Sequence, residues 1–158
     1  MGLFSSKSKD KDIEVNFSMV DGIPGIPSGF AVAVGVDNDR LTIRKRASKE
    51  EPYSLSLSKL TNVSILTDKE ILEKQKSVGG RAVVGALVLG PLGAIVGGMS
   101  GIGTKKKTQT HTYLIINYFS EEEKVLSFEI VGASLGWDKL YQKLKTFIPE
   151  QPIQSKEL

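Results

Sequence analysis

Residues 111–148 read HTYLIINYFSEEEKVLSFEIVGASLGWDKLYQKLKTFI. Two runs rich in β-branched and aromatic residues, TYLIINY and KVLSFEIV, are separated by the polar turn SEEE, which predicts two antiparallel strands. Further on, Trp137, Leu140, Tyr141, Leu144, Phe147 and Ile148 recur at helical spacing, while Asp138, Lys139, Lys143 and Lys145 fall on the other face. A helix with one apolar stripe must bury it against another element. The arrangement predicts a sheet or barrel plugged by a C-terminal amphipathic helix.

The chain before this stretch supplies more strands of the same texture. Ile13, Val15, Phe17 and Met19 alternate with polar residues, and the turn-rich DGIPGIPSG then leads into FAVAVGV. A hairpin turn at Asp37, Asn38 and Asp39 follows. Leu41 and Ile43 alternate with Thr42 and Arg44, and Leu55 and Leu57 alternate with Ser54, Ser56 and Ser58. Val63 and Ile65 continue the pattern, giving about seven half-buried antiparallel strands and a mainly β fold of the α+β class. Thr67 with Glu70 three residues later is a capping-box signal that starts a short helix, DKEILEKQKS.

Seven antiparallel strands followed by one amphipathic helix is the order of a pleckstrin-homology-like barrel, in which the helix caps one open end. The stretches RLTIRKR, YSLSLSKLTNVSILTDKE and residues 111–148 resemble the short bacterial pleckstrin-homology-like proteins, some of which carry a glycine-rich insertion. The resemblance covers residues 12–149 and lies in strand texture and layout, with no catalytic signature. It implies the barrel, and lipid or peptide binding as known for some relatives. Residues 1–11 are a short lysine-rich polar tail and 150–158 a polar, proline-bearing one, both expected to be disordered.

Between Ala82 and Gly103 run twenty-two residues without a charge, seven of them glycine: AVVGALVLGPLGAIVGGMSGIG. Small residues recur every four positions along two tracks, Ala82, Ala86, Gly90, Ala94, Gly98 and Gly93, Gly97, Gly101. This is a glycine zipper, which lets helix backbones touch. In water such a helix pays on the order of 5–7 kcal/mol for its glycines. A single membrane crossing would place strands of one barrel in two compartments. Pro91 sits near the middle, where proline disrupts a helix, so the expectation is an inserted helical hairpin over residues 79–104 that leaves and returns on one side. Each leg reaches about 15 Å against a hydrocarbon core of about 30 Å, a wedge rather than a span. Leu87, Leu89, Leu92 and Ile95 supply apolar surface, and Lys74, Lys76 and Arg81 on one flank with Lys105, Lys106 and Lys107 on the other face headgroups. Periodicity leaves open whether the hairpin meets a bilayer, a second copy or its own barrel.

The remaining signals are weaker. With no cysteine there is no disulfide framework, thiolate metal site or thiol nucleophile, and one histidine makes a metal centre improbable. No metal and no cofactor are expected. The small net charge of +3 predicts no nucleic-acid partner. GMSGIGTK, residues 98–105, nearly matches a phosphate loop but exchanges its lysine and threonine and lacks the strand-to-helix setting. MGLFSS fits a myristoylation pattern that the bacterial resemblance argues against. Arg40, Arg44 and Arg46, with Lys45 and Lys49, form a candidate phosphate or lipid patch, weighed against a role in blocking a sheet edge. His111 reads as a surface or edge residue, Glu121–Glu123 as a solvated turn and Trp137 as a core anchor.

The start MGLFSSKSKDKD holds no apolar core long enough for a secretory signal, so a cytoplasmic location, peripheral on the inner face of the membrane, is expected. The functional expectation is a non-enzymatic binding module that uses the hairpin to associate with an anionic membrane surface or with itself. The alternatives are a pore-forming or toxic effector that oligomerises through the zipper, and a soluble homo-oligomeric scaffold.

Overall fold

The computed structural model describes residues 13–77, 83–84, 87–89, 92, 95–96 and 110–148. In chain order the elements are β1 (Glu14–Asp21), β2 (Ala31–Asp37), β3 (Arg40–Lys45), β4 (Tyr53–Ser56), a single 3-10 turn (Leu57–Lys59), β5 (Leu60–Thr67), α1 (Asp68–Ser77), β6 (Val83–Val84), β7 (Leu87–Val88), β8 (Thr112–Ser120), β9 (Glu122–Ile130) and the C-terminal helix α2 (Trp137–Lys145). Among the described residues seven strands form one antiparallel sheet in the order β4-β3-β2-β1-β9-β8-β5, and β6 and β7 pair only with each other. The tails at 1–11 and 150–158 lie outside the described residues.

The alternation read from the sequence is the burial pattern. Val15, Phe17 and Met19 of β1, Val32, Val34 and Val36 of β2, Leu41 and Ile43 of β3, Leu114 and Ile116 of β8, and Leu126 and Phe128 of β9 all enter one core cluster with Leu140 and Leu144 of α2. Strands at both ends of the sheet reach one cluster only if the sheet curls around it, and its twist supplies the curl. The sheet is an open barrel, with β4 and β5 as its unpaired edges.

Both ends of this core are closed. The loop after β1 tucks Ile23 and Ile26 into it, and α2 plugs it with Leu140 and Leu144 while Trp137 packs half-buried alongside. The link into α2 is fixed by Ser134, whose hydroxyl donates to Asn16 O at 2.6 Å and accepts from Val131 N at 2.9 Å. The expected capping box forms: Thr67 N donates to the Glu70 carboxylate at 2.8 Å, and Glu70 N donates to Thr67 Oγ1 at 3.2 Å.

The first leg of the inserted helical hairpin differs from expectation. Val83–Val84 pairs antiparallel with Leu87–Val88, whereas Leu92, Ile95 and Val96 have helical backbone. β-branched side chains favour strand over helix, and glycine penalises a helix in water, so with a protein surface beneath it this leg pairs as strands.

Gly22 is the tightest point of the barrel. It has φ +125°, and an added Cβ would stand 2.6 Å from Val125 O and 2.9 Å from Leu126 Cα. Gly22→Ala should therefore cost about 3 kcal/mol through backbone strain and overpacking, read as a lowered urea midpoint with an unchanged slope.

Candidate functional site

The outer face of β5, β8 and β9 carries a second cluster: Val20, Leu66, Ile71, Tyr113, Ile115 and Val125, with Leu89, Leu92 and Val96 from the insertion. These last three are at most 1% exposed, and Ile95 packs half-buried beside them. β7 lies across β5 and β9. Leu89, Leu92, Ile95 and Val96 are thus docked on their own domain, together with α1, whose Ile71 is fully buried.

This cover was legible in a signal the alternation argument passed over. An antiparallel strand wet on one face alternates, but Tyr113, Leu114, Ile115 and Ile116 are an unbroken apolar run, all buried, as are the doublets Met19–Val20 and Val125–Leu126. Such runs mark strands buried on both faces.

Both flanks of the insertion start from one corner. Thr67, the last residue of β5, pairs with Thr112, the first of β8, and Asp68 N donates to His111 O at 3.0 Å. At this corner His111 Nδ1 pairs with the carboxylate of Glu129, which comes from the neighbouring strand and is therefore invisible near His111 in sequence. Tyr113 is buried beneath, and its phenol is pushed up to about 12, first by burial and then by the charges of Glu129 and Asp68.

Of the expected hairpin residues, Leu89, Leu92 and Ile95 are brought together on this face, and Leu87 lies in β7. Ala82, Ala86, Gly90, Pro91, Gly93, Ala94, Gly97, Gly98 and Gly101 lie outside the described residues, as do Arg81 and Lys105, Lys106 and Lys107. Lys74 and Lys76 stand on α1.

The basic patch is partly matched: Arg44 and Lys45 meet carboxylates, whereas Arg40 and Arg46 bond neutral side chains. Arg44 grips the Glu14 carboxylate with two contacts at 2.8 and 2.9 Å, Arg46 donates to Asn16 Oδ1 at 3.1 Å, and Arg40 donates to Ser54 Oγ at 3.0 and 3.1 Å. Lys45 bonds Glu50, a contact that raises the lysine pKa and lowers that of the carboxyl. β3 is also not an edge strand: β4 lies outside it. Among the described residues there is no group of three or more histidines or carboxylates placed to hold a metal, and no helix is long and apolar enough to cross a membrane.

A family model described as the glycine zipper containing PH domain matches residues 25–131. The chain belongs to this family. The match spans more than half of the chain and takes in both β2–β9 and the insertion, while β1 and α2 fall outside it. The curled sheet with its C-terminal helix is the pleckstrin-homology-like architecture that the strand order implied. A search of curated proteins gave no match.

Tyr113 provides a check on the corner. Unfolded, its phenol ionises near its ordinary value of 10; folded, it holds the proton to about 12. The native state then binds more protons in that window, so stability should fall as pH rises from 10 to 12. The phenolate absorbance that Tyr113→Phe removes should develop only as pH nears 12.

Proposed function

We propose that the chain is a non-catalytic association module that uses the insertion to reach an anionic membrane surface from one side. The observation that carries this reading is the corner where Thr67 pairs with Thr112: a segment tethered there returns to the side it leaves. A same-side excursion suits an apolar wedge between basic flanks, with Lys74, Lys76 and Arg81 before it and Lys105, Lys106 and Lys107 after it. On this reading the protein works at the cytoplasmic face, and lipid headgroups are its partners.

Self-association is the second reading, favoured by the packing of Leu89, Leu92 and Val96 against a protein surface. A pore-forming effector and a soluble scaffold are variants of it that differ in whether the assembled zippers meet lipid.

Co-sedimentation with phosphatidylglycerol–phosphatidylcholine vesicles separates these. The full chain should bind and a chain lacking residues 79–104 should not. Replacing Lys105, Lys106 and Lys107 by glutamine should weaken binding about a hundredfold, at about 1 kcal/mol per lysine. Binding that survives the deletion sinks the membrane reading. A change confined to oligomer size selects self-association, and dye release by the full chain selects the effector.

A further inference from the structure

The side chains that association requires at a bilayer or a second copy are the ones the fold hides. Leu89, Leu92 and Val96 are pressed on the outer face of β5, β8 and β9. We infer that this face is a reversible docking site for the chain's own insertion, so that undocking and association form one coupled equilibrium. The inference rests on the proposed role of the insertion as the contact element.

The backbone is arranged for departure. Among the described residues β6 and β7 pair only with each other, so the described part of the insertion contributes no strand to the seven-stranded sheet. The amide of Leu92 bonds Leu89 O within the same segment. Releasing the described part of the insertion therefore breaks no ladder bond of the main sheet. The anchors on either side, the β5–β8 pairing and the Asp68–His111 bond, belong to the domain and stay in place.

The composition of the face is the second argument. Among the described residues the buried side-chain polar atom left without a partner, Ser127 Oγ, belongs to the outer face and not to the inner core. On the outer face Tyr113 and Ser127 bring hydroxyls into the packing, and Ser127 is fully buried while its Oγ has no hydrogen-bond partner. Ser127 lies beside Ile115 across β8 and beside Asp21 across β1, on the side opposite Leu126 and Phe128. A stranded hydroxyl penalises the form that shuts it from water and is relieved when water returns. The permanent core carries no such penalty, whereas the docked face does. A cover held by aliphatic contacts and opposed by a stranded hydroxyl is poised between docked and released states.

The chain has no cysteine, so a single introduced thiol reports alone. In the full-length chain Val96→Cys should react with a water-soluble maleimide at least about a hundredfold more slowly than Leu135→Cys, whose site is 82% exposed. On the Val96→Cys background, Ser127→Ala removes the stranded hydroxyl and should slow labelling about tenfold, while Val125→Ala trims the face and should speed it about tenfold.

Coupling requires that affinity for phosphatidylglycerol–phosphatidylcholine vesicles, measured without the thiol, shift by matching factors: down for Ser127→Ala, up for Val125→Ala. Circular dichroism checks that both variants fold, and Ser127→Ala decides the matter if Val125→Ala does not. Equal labelling at the two thiol positions overturns docking. Labelling that shifts while vesicle affinity stays fixed overturns the coupling alone. Vesicle binding that survives deletion of residues 79–104 overturns the association reading, and the coupling with it.

Discussion

The pairing of β5 with β8 is the constraint on which the rest of the molecule depends. Leu60 to Thr67 run antiparallel to Tyr118 to Thr112, so the chain leaves for the insertion and returns from it within about one strand spacing of 5 Å. The entropy of closing so long a loop grows only with the logarithm of its length, and a ladder of this extent carries it. Everything that distinguishes this chain from a plain barrel follows from that junction. The sheet stays in one compartment, and the insertion is hung from a single corner above the outer face.

That outer face is the second consequence. β8 lies between β9 and β5, and its Tyr113 to Ile116 run is buried on both sides. The inner side meets α2 and the barrel core, as in any curled sheet of this order. The outer side needs its own cover, because leaving Ile115, Leu66 and Val125 wet would expose a contiguous apolar patch. The Thr67–Glu70 capping box starts α1 at the end of β5 and brings Ile71 onto this patch. The insertion completes it. One stretch of chain therefore serves as cover for its own domain and as the best candidate for contact with a partner.

The sheet was readable because strands with one wet face alternate, and β1 does so as far as Met19 and β3 through Ile43. The C-terminal stripe and the capping box were readable because both are local, set by side chains within two turns of helix. What escaped were relations between distant strands. Glu14 meets Arg44, and Glu129 meets His111, only because the sheet brings them side by side. The insertion misled for a different reason. Small residues every four positions describe helices packed in hydrocarbon, but the same valines and glycines on a protein surface in water favour a short strand pair, and Val83–Val84 with Leu87–Val88 forms one. The solvent decides between the two, and sequence spacing does not contain the solvent.

The distribution of charge points the same way as the packing. For β3 to hold a phosphate, Arg44 would have to give up a two-contact grip on Glu14, and that carboxylate would remain beside the incoming anion. An exposed pair of this kind is worth no more than about 1 kcal/mol, so the obstacle is not the strength of the bond. It is the local field, since the Glu14 carboxylate offsets the charge that Arg44 offers. Lys45 is matched by Glu50 in the same manner. Arg44 and Lys45 are thus matched by carboxylates while Arg40 and Arg46 bond neutral groups, a charged surface suited to keeping the sheet soluble beside its short edge strand β4. The insertion has a different character: no charge between Ala82 and Gly103, and basic residues gathered on the two flanks of that run. An anionic surface would meet a partly matched strand face at β3 and, in the sequence of the insertion, an apolar run between basic flanks. Only the second combines attraction with something to bury.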